Sequence, residues 1–196
     1  MKNSIPNISQ GLCTYSKIVL FFFILILNLS TAQAKQPTFA NIPWGIDLAE
    51  LRKQLTSNGF TPLNVDEDGD LKFKGKLLGH NAVGFAFLGN RKLMKLQLLI
   101  ATPDHKAIST YRDLREILAK KYGEPEHVFE YFKRPYYDGD GYEEQAIRLG
   151  KGTFSCFWKD VISLSITEKL AVKLNYESAL WSAEMDRRDA KRNSVF

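Results

Sequence analysis

The stretch of residues 71–100, LKFKGKLLGHNAVGFAFLGNRKLMKLQLLI, decides the fold. It contains three strand-like runs, at 71–73, 82–88 and 93–100, and the segments between them are rich in glycine and asparagine. These two residue types adopt the left-handed backbone conformations that tight hairpin turns require. From position 96 the third run alternates, so one of its faces is predicted to be buried. The stretch therefore predicts an antiparallel three-stranded meander.

Helices are predicted before, between and after the strands. Asp47 as N-cap with Glu50 three residues later begins the first helix, and Asn58-Gly59 ends it. Apolar residues spaced three and four positions apart predict a second helix over 106–122, and the charged end of the chain predicts a third over 177–192. A second set of strand-like runs lies between these last two helices, at 128–132, 145–149, 154–158, 161–167 and 170–176.

The order of these elements predicts the fold class. Hairpin signals dominate, and the strands do not alternate with helices as a parallel sheet requires. We therefore expect an α+β fold with an antiparallel sheet of two meanders and about three helices packed on one face. No linker or low-complexity segment divides residues 35–196, so they are predicted to form a single domain.

The N-terminus has the pattern of a secretory signal peptide. The first 34 residues contain Lys2 and Lys17 but no Asp or Glu, and an apolar run follows at 18–29. This run is shorter than the roughly 20 residues that span a bilayer as a helix. Ala32-Gln33-Ala34 supplies the small-residue pattern of a cleavage site. We expect cleavage after Ala34 and a secreted, periplasmic or extracellular protein without an integral membrane segment, with an uncleaved anchor as the alternative.

Charge and cysteine content narrow the function classes. Cleavage would remove two lysines and no acidic residue, which lowers the formal charge from +5 to +3 and does not favour nucleic acid as a partner. It would also remove Cys13, which lies too far upstream for a lipoprotein anchor, and leave Cys156 as the sole thiol. Cys156 stands between aromatic residues in a strand-like run. An inert buried thiol is the favoured interpretation, and a reactive or intermolecular thiol is the alternative.

Two short motifs resemble a known group of proteins. Residues 39–45 read FANIPWG, and residues 120–125 read KKYGEP at the end of the second predicted helix. Together they resemble a loose group of small secreted or lipid-anchored bacterial proteins of unknown function, with an Ile-Pro-Trp-Gly start and a Lys-Tyr-Gly-x-Pro helix end. The likeness covers roughly residues 39–125. It implies a bacterial envelope location and assigns a role to no residue.

One acidic loop has part of a calcium-binding pattern. Asp66, Asp68 and Asp70 stand at alternating positions of the loop, as in a calcium-binding loop. Gly75 occupies the position where such a loop needs a bidentate glutamate. A solvated acidic turn is therefore favoured, with a weak calcium site as the alternative. The three histidines lack ligand spacing, and we expect no metal and no cofactor.

The most unusual segment carries six aromatic residues between positions 129 and 142. Amphipathic rings beside charged side chains are typical of surfaces that bind proteins. The same pattern also arises when a strand and a tyrosine-bearing loop pack on their own domain. The candidate binding residues are Tyr131, Lys133, Arg134, Tyr136, Tyr137 and Tyr142.

These observations favour a non-catalytic domain that binds a protein or envelope partner. The chain has no G-x-S-x-G turn, and few of its side chains suit acid–base or nucleophilic chemistry. The alternative is a small hydrolase-like or thiol enzyme whose site is assembled from residues that are distant in the sequence.

Export makes a direct prediction about the mature N-terminus. When the full chain is expressed in a bacterial host, the exported product should begin at Lys35, as measured by intact mass and N-terminal sequencing. Replacing Ala34 with Arg should block cleavage, because signal peptidase requires a small residue there. An exported wild-type protein that still carries residues 1–34 would contradict the prediction.

Overall fold

In the computed structural model, which describes residues 36–194, eight strands form one antiparallel sheet. The strand order is β1-β2-β3-β4-β8-β7-β6-β5, so the α+β class predicted from the sequence is confirmed. The strands are β1 (Thr61–Val65), β2 (Leu71–Leu77), β3 (His80–Gly89), β4 (Lys92–Ile100), β5 (His127–Phe132), β6 (Gly152–Trp158), β7 (Ile162–Ile166) and β8 (Val172–Glu177).

Four α-helices accompany the sheet. They are α1 (Leu48–Ser57), α2 (Ala107–Tyr122), α3 (Glu143–Arg148) and α4 (Trp181–Asn193). The side chain of Asp47 caps α1 by accepting a hydrogen bond from the Glu50 amide at 3.0 Å. None of the helices in residues 36–194 is long and apolar enough to cross a membrane. The proposed signal peptide lies outside the described residues.

The central hairpins follow from turn chemistry. β2 and β3 pair without interruption from Leu71↔Ala86 to Leu77↔His80. The two residues between them, Leu78 and Gly79, both have positive φ, at 50° and 80°. Asn90 and Arg91, between β3 and β4, also have positive φ. Two consecutive left-handed residues match the twist of the flanking strands, which is why such turns join hairpins.

Two elements differ from the sequence prediction. The sequence predicts a strand over residues 145–149, but residues 145–148 belong to α3 and Leu149 is its C-cap; Ala146 and Ile147 are neighbours in this helix and both are buried. Strand alternation would place adjacent side chains on opposite faces. The sequence prediction also missed β1, because Pro62 obscured a strand that lies at the edge of the sheet, where proline is tolerated.

Helices α1 and α2 cover one face of the sheet and form the core with it. Tyr111 of α2 packs edge-to-face on Phe154 of β6, with ring centroids 5.7 Å apart. The buried side chains of the two helices and the two central strands include Leu51, Leu55, Tyr111, Leu114, Leu118, Leu96, Leu98, Ile100, Val172, Leu174 and Tyr176.

Helix α4 packs on the opposite face, unlike the expected arrangement with all helices on one side. Phe87 and Lys95 are cross-strand neighbours, and they point away from the core because Ala86 and Leu96 point into it. Trp181 lies 5.3 Å from the Phe87 ring, and the Lys95 ammonium lies 4.8 Å above Trp181. The apolar stripe of α4 is short, so the sequence alone does not indicate on which face of the sheet the helix packs.

A buried ion cluster fastens α4 to the first half of the sheet. Arg188 donates bidentate hydrogen bonds to Asp70 at 2.6 and 2.8 Å, and it also donates to Glu184 at 2.8 Å. The Asp70 carboxylate further accepts the Leu88 amide at 2.8 Å. Hydrogen bonds from Arg187 and Arg188 outweigh the effect of burial and lower the pKa of Glu184 to about 2.

This cluster should make the protein acid-sensitive. The pKa of Glu184 lies below its ordinary value of 4.5, so its carboxylate stabilises the fold above pH 4.5 and loses that effect as the pH falls toward 2. We expect Glu184→Gln to lower the free energy of unfolding by roughly 2–3 kcal/mol at pH 7 and by much less near pH 2. Thermal unfolding followed by tryptophan fluorescence measures the stability of both proteins at each pH.

Asp186→Asn on the exposed side of the same helix is the matched control, and it should leave the pH dependence unchanged. If wild type and Glu184→Gln lose stability equally on acidification, the ion cluster does not hold α4.

Candidate functional site

The predicted binding residues all lie at the outermost strand β5 or in the chain that follows it. Tyr131 belongs to β5, and Lys133 and Arg134 come directly after the strand as exposed side chains. Tyr136 and Tyr137 lie in the loop to α3, and Tyr142 is the residue before that helix. The structure therefore brings the six residues to one edge of the sheet.

Their exposure separates them into two groups. Tyr131, Tyr137 and Tyr142 expose 45%, 66% and 60% of their surface, whereas Tyr136 is half-buried and its hydroxyl accepts a hydrogen bond from Gln145 at 3.3 Å. Among residues 36–194, only four phenylalanine, tyrosine or tryptophan side chains are this exposed. We call these four the aromatic edge: Phe129, Tyr131, Tyr137 and Tyr142.

Phe129 was not among the predicted binding residues. It exposes 47% of its surface because β5 is the outermost strand, on which no residue is buried and the neighbouring Val128 also exposes 42%. Its two-residue spacing from Tyr131 was visible in the sequence, and this spacing places both rings on the same face of β5. On that face the Phe129 ring also meets Phe157 of β6, at a centroid distance of 6.1 Å.

Acidic residues within the loop hold its tyrosines in place. The Asp140 carboxylate accepts the amides of Tyr137 and Tyr142 at 3.0 and 2.7 Å. Glu143 accepts the Gly139 amide at 2.8 Å. Because these hydrogen bonds set the backbone on both sides of the loop, Tyr137 and Tyr142 are presented to solvent from a defined backbone.

A shallow groove of about 350 Å³ runs between the loop, β5 and α2. Arg112 of α2 contributes a cation to its wall, and Glu130 of β5 contributes a carboxylate. Glu130 is paired with Arg115 at 2.5 Å. The remaining lining side chains are Tyr131, Phe132, Tyr136, Tyr137, Asp138 and Phe154.

The aromatic edge adjoins the sheet face that α1 and α2 leave uncovered. α4 covers one corner of this face. Beside that corner, the strand registers align side chains in two rows that run across the sheet from β2 to β5. Every side chain in these rows except Asn175 is at least partly exposed. We call these rows the open face: Lys72, Phe85, Gln97, Asn175, Ser163, Phe157 and His127 in one, and Lys74, Val83, Leu99, Lys173, Ser165, Ser155 and Phe129 in the other.

The acidic loop before β2 is not arranged as a calcium site. Asp66 accepts the amides of Asp68 and Asp70 at 3.1 and 2.9 Å, which folds the loop on itself. The Asp70 carboxylate is occupied by Arg188. Within residues 36–194, no three or more His, Cys, Asp or Glu side chains are grouped so that they could hold a metal ion.

Cys156 is part of the core and has no access to solvent. It points to the same side as Leu164 and Leu174, and burial raises the pKa of its thiol to about 11. His127, the histidine on the neighbouring strand, pairs with Phe157 and therefore points to the other face. Because the thiol and this histidine point to opposite faces of the sheet, His127 cannot act as a base for Cys156.

Burial makes a testable statement about Cys156. In a Cys13→Ser background, native protein at pH 8 should not react with a thiol-specific chromogenic reagent, and one thiol should react after unfolding in urea. Ser155→Cys is the matched control, because that position faces the open side and should react at once. Rapid native labelling without the Ser155 substitution would show that Cys156 is accessible.

No protein-family model, curated protein or solved structure matches this chain. Any assignment of function must therefore come from the geometry and chemistry of the described residues.

Proposed function

We propose that this protein is a non-catalytic exported domain that binds a partner protein through the aromatic edge and the adjoining open face. The observation that carries the proposal is the gathering of exposed aromatic rings. All four such rings in the described part of the chain lie between positions 129 and 142. The N-terminal sequence and the resemblance to envelope proteins support an envelope or extracellular location.

The aromatic edge has the physical properties of a binding surface. Tyrosine and phenylalanine bring large contact areas with little side-chain entropy to lose, and tyrosine is frequent among residues that dominate binding energy. Four exposed rings in one segment also keep apolar surface in water, which contact with a partner would remove. Lys133 and Arg134 flank the rings and supply the polar rim that protein interfaces show.

The dimensions of the open face favour a protein as the partner. The open face crosses the seven strands from β2 to β5, whose six spacings of about 4.8 Å make it about 29 Å wide. Rows two residues apart along a strand are separated by about 7 Å. The two rows across this width cover about 400 Å², roughly half of the 800 Å² that each partner buries in a standard protein interface, and the aromatic edge enlarges this surface.

The charge of the open face indicates the character of the partner. Lys72, Lys74 and Lys173 stand in its two rows, and neither row contains a carboxylate. A partner with carboxylates opposite the lysines and apolar side chains opposite Phe129 and Phe157 would match this surface. The thiol-enzyme alternative gains no support, because Cys156 is buried and its thiol pKa is raised.

The test is quantitative capture from the envelope fraction of the source organism. A partner captured by wild type should be reduced about tenfold or more by Tyr137→Ala combined with Tyr142→Ala, and similarly by Phe129→Ala. Leu78→Ala combined with Leu180→Ala is the matched control, because those side chains are exposed elsewhere. All variants must retain the wild-type melting temperature.

Mass spectrometry of the captured proteins then names the partner. If the aromatic variants and the leucine control capture the same proteins in the same amounts as wild type, the aromatic edge is not a binding surface and the proposed function is wrong.

A further inference from the structure

The two edges of the sheet differ in how they are protected. β1 contains Pro62, its register with β2 shifts between Pro62 and Val65, and Arg52 of α1 reaches the Leu63 carbonyl at 3.4 Å. Proline, irregular register and a covering side chain are devices that prevent a strand from pairing with another chain.

β5 has none of these protections over residues 127–132. Its register with β6 runs without a shift from His127↔Phe157 to Phe132↔Gly152, and it contains no proline or lysine. Val128, Phe129 and Tyr131 expose 42%, 47% and 45% of their surface. A regular, apolar and exposed edge strand is a template for pairing with another strand.

The backbone of β5 has a defined direction of pairing. The Lys133 amide donates to the Lys151 carbonyl at 2.7 Å, so the amide of residue 133 points toward β6. Because the direction alternates along an antiparallel strand, odd-numbered residues of β5 also point to β6. Val128, Glu130 and Phe132 then direct their amide and carbonyl groups outward.

We propose that β5 pairs antiparallel with β5 of a second copy of this chain, so that the two sheets join into one. In such a pair, each residue whose amide and carbonyl point outward must lie opposite another residue of this kind. Since these residues are even-numbered, the numbers of two opposite residues must add up to an even number in any two-fold symmetric register. The register centred on Glu130 places Val128 opposite Phe132 and Phe129 opposite Tyr131.

This register is complementary on both faces. The Phe129 and Tyr131 rings of the two copies meet on the open face, and Val128 meets Phe132 on the helix face. Glu130 of one copy lies opposite Glu130 of the other, but each carboxylate is already paired with Arg115 of its own chain at 2.5 Å.

The dimer would join the open faces of both copies and place two sets of aromatic rings at the junction. It requires only the chain itself, so it does not rest on the proposed binding of another protein. A single pair of six-residue strands buries less surface than a standard interface. We therefore expect a dissociation constant in the micromolar range.

Engineered cysteines test the register directly. In the proposed pair, Phe129 and Tyr131 occupy a non-hydrogen-bonded pair with Cα atoms about 4.5 Å apart, within the range that a disulfide bridges. In the full chain with Cys13→Ser, Phe129→Cys mixed with Tyr131→Cys should form cross-linked heterodimers under mild oxidation. Either variant alone should stay largely uncross-linked, as measured by non-reducing gel electrophoresis.

Sedimentation at 5–200 µM, about the concentrations that span a micromolar dissociation constant, tests association without cysteines. Wild type should pass from monomer to dimer over that range, and Val128→Lys should remain monomeric because it places a charge at the apolar pair. Val83→Lys is the matched control: Val83 is exposed within the open face, away from the edge, and its substitution should leave the dimer intact.

Three results would overturn the proposal: a monomer at all concentrations, cross-linking by one cysteine variant alone as efficient as by the mixture, or equal dissociation by both lysine substitutions. Unchanged partner capture by the Tyr137→Ala/Tyr142→Ala variant, with a dimeric wild type, would contradict only the proposed function. Reduced capture by that variant, with a monomeric wild type, would contradict only the dimer.

Discussion

The pairing of β4 with β8 is the contact on which the rest of the structure depends. It joins the strands that follow α1 to those that follow α2, through a continuous register from Lys95↔Glu177 to Ile100↔Val172. One face of this strand pair is apolar and the other is mostly polar, so helices α1 and α2 both pack on the apolar face. Without this pairing, each half would expose a four-stranded sheet with one apolar face.

The same two-residue alternation determines which chemistry reaches solvent. It turns Cys156 into the core and its neighbour Phe157 to the open face, and on β5 it turns His127, Phe129 and Tyr131 outward. The Cys156 thiol and the His127 imidazole are thereby separated, while the rings gather on one surface. The exposed rings offer a surface for contact with a partner, which is why the proposed function is binding.

The sequence predicted the parts of the fold that depend on local chemistry. Turn residues, the Asp47 cap and apolar periodicity located the central strands and three of the four helices. The sequence could not predict the features that depend on contacts between residues far apart in the chain. The contact between Asp70 and Arg188 spans 118 positions, and it determines where α4 packs. For the candidate site, the aromatic content of the segment is visible in the sequence, but the exposure of Phe129 and the partial burial of Tyr136 depend on the fold, in which β5 is an outer strand.

The two proposals are compatible because the strand pair engages only part of the aromatic edge. Pairing through β5 would engage Phe129 and Tyr131 at the junction, where each ring gains a neighbour from the other copy. Tyr137 and Tyr142 belong to the loop that Asp140 holds in place, so their rings need not take part in the strand pair. A dimer would then display two such loops, and two weak contacts with one partner would act together with an effective concentration that a monomer cannot supply. The unprotected edge and the exposed tyrosines thus have one common physical rationale, in which association of the chain with itself strengthens its binding to another protein.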